Sequence, residues 1–241
     1  MKILLLLISL SFSHLVMANT VYLTSLSWPP YSDKSLDQQG ASVAVAKAAF
    51  KAEGYDLIVG FYPWTRAVNS ALQANSKYVG YFPSYMHSNP NVVFSEVIGT
   101  GPLGLVQNNT KPISFSTIND LAGKRIGVVQ DYVNTKELDY MIATGAITGD
   151  AVTSDVLNIK KVAAGRIDAA VIDANVLKYL LSTDKSLTSI ASKVAMNANL
   201  LEEKKLYIAF RNDAEGKKWQ QIYNKGLAKI NVNQIMTNYF K

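Results

Sequence analysis

Histidine and cysteine, the side chains that most often carry metal or nucleophilic chemistry, are almost missing from this chain of 241 residues: it has two histidines and no cysteine. One of the two, His14, sits in an apolar leader, so a zinc site or a Ser-His-Asp triad would have to be built around His87 alone. No pair of carboxylates stands at a recognisable catalytic spacing. An enzyme would be left with an isolated Asp131 or Asp173 as general acid or base, and the chain therefore reads as non-catalytic. The residues that remain suit recognition. Trp28-Pro29-Pro30-Tyr31 places two large rings directly after a β-branched, apolar run. A π-face shields a small solute from water or contacts its cationic part, and the same rings serve equally well as core. Trp64 and Arg66 fall in the first turn of an expected helix, two residues apart and so about 200° around its axis, which keeps them off a common face. Arg66 offers a carboxylate two parallel N–H donors that a lysine cannot imitate; a salt bridge or a loop carbonyl is the competing use.

These residues need a scaffold, and the composition supplies one. With 49% hydrophobic, 17% charged and 10% aromatic residues the chain is a globular protein with a core, which excludes disorder and collagen-like structure. Lys2, the apolar run from Ile3 to Ile8 and Val16-Met17-Ala18 form a secretory signal pattern over residues 1–18, too short to span a hydrocarbon layer of roughly 30 Å. The expected location is the periplasm. Without cysteine there is neither a disulfide nor a lipid attachment point, so stability rests on burial. The formal net charge of +6, reduced by one without Lys2 of the leader, comes with no nucleic-acid motif and reads as solubility or mild attraction to anionic surfaces.

Strand and helix signals alternate along the rest. A strand is expected over 20–26, a helix over 41–53 closed by Gly54, a strand over 56–62, a helix over 64–74 with Pro63 at its first turn, and a strand over 78–82. After Lys111-Pro112 a second unit begins: a turn at Asp120 to Lys124, a strand over 125–129, and a helix over 135–143 with an Asn134 and Glu137 capping box. A helix capped by Ser154 or Asp155 and ending at Gly165, a strand over 168–172 and a helix over 174–181 follow. The last elements are a strand over 205–210, a helix from Ala214 to about Ile230 and a short terminal helix. Glu202-Glu203-Lys204-Lys205 reads as a solvated helix or turn face. Two alternating units imply two lobes of roughly 100 residues. The segments 99–107 and 205–210 cross between them, which makes a hinge rather than a tether.

This order and its landmarks resemble the bacterial extracellular solute-binding proteins of family 3, the amino-acid-binding branch with the type II periplasmic-binding fold. The landmarks are Trp28-Pro29-Pro30-Tyr31, Pro63-Trp64-Thr65-Arg66-Ala67, Phe94-Ser95, the run Asp120-Leu121-Ala122-Gly123-Lys124-Arg125-Ile126-Gly127-Val128, and Gly165-Arg166-Ile167-Asp168-Ala169-Ala170-Val171-Ile172-Asp173. The resemblance implies an α/β, two-lobed fold, each lobe a sheet flanked by helices and joined by a two-stranded hinge. Residues 19–107 and 205–241 would form lobe 1, and residues 108–204 lobe 2. It implies a monomer, not membrane-embedded and without cofactor or metal, that closes on a small amino-acid-like or amine-containing solute and delivers it to the permease of an ABC importer. A dehydratase-like enzyme and a ligand-sensing partner of a receptor are the alternatives on the same scaffold.

The resemblance also implies a site. Trp28 and Tyr31 lie against the ligand, one of Trp64 and Arg66 borders the cleft from the helix end while the other packs sideways, and Ser84 and Tyr85 supply hydroxyl and backbone contacts. Asp173 receives the ligand's ammonium group, with capping of the following helix as its other use. Tyr132 and Asn134 belong to the helix N-terminus that cradles anions in relatives, where bulky Tyr132 and Val133 replace small hydroxyl residues and Asp131 adds negative charge. The arginine that clamps the α-carboxylate in amino-acid binders is missing, and His87-Ser88-Asn89-Pro90-Asn91 occupies its place.

Overall fold

The computed structural model describes residues 19–240, so the leader expected at residues 1–18 lies outside the described part. The first sheet grows from β1 (Asn19–Ser25), which buries Val21 and Leu23 and runs parallel to β2 (Tyr55–Phe61) on one side and to β3 (Gly80–Ser84) on the other. Helix α1 (Ala41–Ala52) and helix α2 (Trp64–Leu72) make the two crossovers that parallel strands require. Pro63 precedes α2 as its N-cap residue instead of entering the first turn. Gly54, at φ +84°, stops α1 as expected from the left-handed geometry that glycine takes without strain.

The second sheet holds β6 (Arg125–Val129), parallel to β7 (Thr148–Val152) and to β8 (Ala169–Asp173). Helices α3 (Lys136–Ala143) and α4 (Asp155–Ala163) connect these strands, and α5 (Ala174–Thr183) leaves from the end of β8. Thr135, not Asn134, caps α3, accepting the Leu138 N–H at 3.2 Å, so the expected Asn134–Glu137 capping box is replaced by a Thr135 cap with Asn134 bonded to Asp139. Strand β7 and the short strands β4 (Val92–Phe94) and β9 (Val194–Met196) add to what the sequence pattern announced.

Two long strands join the sheets. β5 (Gly99–Asn108) carries the chain into the second sheet, pairing antiparallel with β8 and β9, and β10 (Glu202–Arg211) brings it back to pair with β3 and β4. Where they pass, Gly99–Leu103 pairs antiparallel with Glu202–Leu206. The resulting order is β2-β1-β3-β10-β5-β8-β6-β7. The return crossing thus starts at Glu202, and the Glu202 to Lys205 run is strand rather than a helix or turn face. The pleat sends Lys204 and Leu206 inward while Glu203 and Lys205 stay exposed. Helices α6 (Ala214–Leu227) and α7 (Val232–Thr237) complete the chain. Leu23, Phe50, Ile208 and Phe210 are buried in one core cluster, and Leu105, Leu121, Ile126 and Leu138 in another on the second sheet.

Gly101, in the crossing part of β5, has the only kind of side chain that fits its place: an added Cβ would overlap Asp173 Oδ2 and Tyr31 Oη, both pinned by hydrogen bonds. Gly101→Ala is therefore expected to lower stability by about 1 to 3 kcal/mol, the usual cost of overpacking. A shift of the urea midpoint to lower concentration at unchanged slope checks this; an unchanged midpoint would show that the crossing yields freely.

Candidate ligand-binding cleft

The site is built outward from the crossing. Tyr31 ends the turn after β1 and Asp173 ends β8, so they come from opposite sheets, and both are buried. Tyr31 Oη donates to Asp173 Oδ2 at 3.0 Å and accepts from Asn175 Nδ2 at 2.9 Å. Asp173 Oδ1 accepts the N–H groups of Asn175 at 2.8 Å and Val176 at 3.1 Å, capping α5. Both carboxylate oxygens are thus in use within the protein. Trp28 stacks on Tyr31 with ring centroids 4.5 Å apart, and its indole is 7% exposed.

A second contact between the sheets lies at the opposite rim. Trp64 Nε1 donates to the Asp131 carbonyl at 3.0 Å, and Thr65 Oγ1 hydrogen-bonds the Asp131 carboxylate. Trp64 also meets Tyr132 edge to face at 5.9 Å. Asp131 holds a left-handed φ of +62°, which aspartate tolerates better than most residues.

Leu26, Trp28, Trp64 and Tyr132 form a wall common to two cavities. The smaller, about 40 Å³, adds Ser84, Tyr85 and Leu206. The larger, about 600 Å³, adds Tyr62, Asp155 and Val176 and has the volume of a small-molecule site. Of the residues expected at the site, Trp28, Trp64 and Tyr132 line both cavities, Ser84 and Tyr85 line the smaller, and Tyr31, Arg66, Asn134 and Asp173 line neither. The reasons are local. Arg66 is exposed with its guanidinium 5.0 Å from the Tyr62 ring centre, where the helical offset from Trp64 directs it. Asn134 donates from its backbone and its side chain to Asp139, at 2.9 and 2.7 Å. Tyr31 and Asp173 stand behind the wall, bonded to each other.

The sequence marks Asp155 only as a capping candidate and carries no signal at Tyr62. Ser154 is the cap of α4, accepting the Leu157 N–H. That frees the side chain of Asp155, a residue 8% exposed that borders the larger cavity and whose carboxylate accepts no hydrogen bond from a described residue. Burial, reinforced by the charge of Asp173, pushes its carboxyl up to about 7. Burial likewise raises Asp173 to about 7, against the opposing hydrogen bonds from Val176, Tyr31 and Asn175. Two other carboxylates on the cavity lining are satisfied locally: Asp33 by Ser27 and Ser35, and Asp184 by the Ser186 N–H at 2.8 Å. Both are held below the usual carboxylate range, Asp33 because these hydrogen bonds outweigh its burial. Tyr85 Oη is buried without a hydrogen-bond partner, and the Lys204 ammonium lies 5.0 Å from its ring centre. Among the described residues no cluster of acids, histidines or cysteines has the make-up of a metal site, and no helix is long and apolar enough to cross a membrane.

The two raised carboxyls fix a sign for stability against pH. Between the ordinary value of 3.8 and about 7 the folded chain binds more protons than the unfolded one, so stability falls as pH rises through that window. The melting temperature is expected to be higher at a pH of about 5 than at about 8, and Asp155→Asn is expected to flatten the difference. Melting curves that rise toward alkaline pH would contradict this placement of the carboxyls.

The same architecture recurs in solved structures. The chain superposes on an ancestral arginine-binding protein bound to arginine with a TM-score of 0.74 at 19% identity, covering 93% of this chain and 100% of that one. It superposes on a histidine kinase sensor domain with similarity to periplasmic binding proteins with a TM-score of 0.76 at 15% identity, covering 91% and 95%. An amino acid ABC transporter substrate-binding protein from Streptococcus pneumoniae bound to L-arginine gives a TM-score of 0.71 at 14% identity, covering 92% and 94%. At these identities the likeness establishes the fold, a two-lobed α/β architecture shared with periplasmic binding proteins. No curated protein sequence matches the chain. The NMT1/THI5-like family profile matches residues 43–190, from α1 through α5 and beyond, more than half of the sequence. The chain belongs to the NMT1/THI5-like family.

Proposed function

We propose that this protein is a periplasmic solute-binding protein that closes two lobes around one small polar ligand, amino-acid-like or amine-containing, and presents it to the permease of an ABC importer. The observation that carries this reading is the aromatic-walled cleft of about 600 Å³ at the seam of two sheets that are joined by two crossing strands. In this reading lobe 1 comprises residues 19–107 and 205–241 and lobe 2 residues 108–204, and the protein acts as a monomer with no catalytic step. The landmark order supports a place close to family 3, and the solved relatives bound to arginine support the ligand class. The likeness to a histidine kinase sensor domain supports a second use of the same closure, presentation of the ligand to a receptor. In either case a ligand favours the closed arrangement only through contacts it gains there. The Trp64–Asp131 hydrogen bond is the protein's own contact across the cleft in that arrangement, to which those ligand contacts would add.

Titration of the purified protein with a library of amino acids and amines, read by tryptophan fluorescence, tests the proposal. Trp28 and Trp64 line the cleft, so a saturable change is expected with at least one compound. No saturable response to any member would overturn the reading. Trp64→Phe removes the Nε1 donor to Asp131 while keeping an aromatic ring, and is expected to weaken binding by about 0.5 to 1.5 kcal/mol, the value of one hydrogen bond.

A further inference from the structure

Within the binding-protein reading, on which this inference rests, we propose that the cleft selects an organic amine cation lacking a carboxylate, with Asp155 as its counter-charge and Trp28, Tyr62, Trp64 and Tyr132 as its aromatic surround. The starting point is a carboxylate left incomplete by the protein. Asp155 is more than nine-tenths buried, faces the larger cavity and receives no hydrogen bond from a described residue, whereas Asp33 and Asp184 on the same lining are each held by serine donors. A buried carboxylate that keeps its charge needs a cationic partner. No described residue of the interior supplies one. Lys204 is engaged with Glu202 at 3.3 Å and lies over Tyr85 on the side of the smaller cavity. Arg66 is turned outward onto Tyr62, and Lys34 is exposed at the rim. The charge that acts on Asp155, that of Asp173, is negative and engaged by Tyr31 and the start of α5.

The wall agrees with the charge. Five aromatic residues, Phe61 with the four named, border the volume that Asp155 faces, and aromatic faces attract cations most strongly where water is excluded. The strongest partner of a ligand carboxylate is missing from the same surface: no arginine lines the cavity, and its one lysine, Lys34, is the exposed residue at the rim. An α-amino acid entering the cleft would therefore find no cationic partner for its carboxylate beyond the rim lysine, only the neutral donors of Ser27, Gln130, Thr153 and Ser154 beside acids and rings. The amine made by removing that carboxylate would need none.

Two matched pairs separate these cases: agmatine against L-arginine, and butylamine against L-norvaline, each pair differing by one carboxylate. Calorimetric titration of the wild-type protein is expected to show saturable binding of at least one amine, at least about 10-fold tighter than its amino acid, and Asp155→Asn is expected to weaken that amine by at least about 10-fold. Equal or tighter binding of both amino acids overturns the inference, as does Asp155→Asn binding the amine as the wild type does. If the variant fails to fold, the wild-type ratios alone decide it. Silence toward both amines with a response to another member of the fluorescence library overturns this inference and leaves the binding-protein reading standing; silence toward the entire library overturns both.

Discussion

The antiparallel passage of β5 past β10 governs the rest of the molecule. Because Gly99–Leu103 and Glu202–Leu206 pair residue for residue, the two sheets are tied at one line, and every side chain near that line has its direction set by the pleat. Lys204 and Leu206 turn inward on β10, and Gly101 on β5 leaves the space that Tyr31 and Asp173 fill. The Tyr31–Asp173 hydrogen bond is thus a bond between the two halves, laid directly on the strands about which they would rotate. In the proposed opening of the lobes a contact at that position would change little in length, whereas the Trp64–Asp131 contact at the far rim would break.

That division explains why two neighbouring carboxyls have different roles. Both are buried and both are raised to about 7 for that reason. Asp173 is surrounded by donors, two backbone N–H groups and a tyrosine hydroxyl, which answer its charge from within. Asp155 has the field of Asp173 and no donor, so the protein holds it at a cost that only an added cation or a proton removes. The same local chemistry, an acid at a helix start, gives a structural group in one case and an open valence in the other. The difference is that Asp173 is itself the cap of α5, while Ser154 caps α4 in place of Asp155.

Much of this architecture is legible in the sequence. The β-branched run before Trp28, the glycine after α1 and the apolar strands at 125–129 and 168–172 are dictated by local preferences, and they place the crossovers and the crossing strands. What escapes is decided by contacts between distant segments. The strand β7, Thr-Gly-Asp-Ala-Val, is a half-exposed edge with little apolar signal, and it exists because β6 offers it a partner. Glu202 to Lys205 carries a solvent-like composition into a strand because β5 pairs with it. The cap of α3 passes from Asn134 to Thr135 because Asp139 takes the Asn134 donors. Arg66 shows the reverse: the two-residue spacing from Trp64 already separates the pair around the helix, and the structure keeps only the tryptophan at the cleft. Asp155 had no distinguishing signal, since its neighbour Ser154 satisfies the same capping pattern.

Trp28 shows why burial alone does not sort core from site in a protein whose halves meet. Its indole is as enclosed as a core residue, stacked on Tyr31 and edge-on to Tyr85 at 6.2 Å, yet it also lines both cavities. One ring therefore has two duties: one face fixes the turn that follows β1 against the crossing strands, and the remaining surface borders the space between the sheets. Replacing it removes both at once, so loss of binding on such a change says little about contact with a ligand. Trp64 is the cleaner reporter, because its hydrogen bond reaches Asp131 on the other sheet and is the contact that the proposed closure would make. Asp155 is cleaner still, for it has no structural partner to lose, and whatever its removal changes must come from what enters the cleft or from the relief of its own buried charge. Those two effects have opposite signs, weaker binding against a more stable empty protein, and so they can be told apart in a single variant.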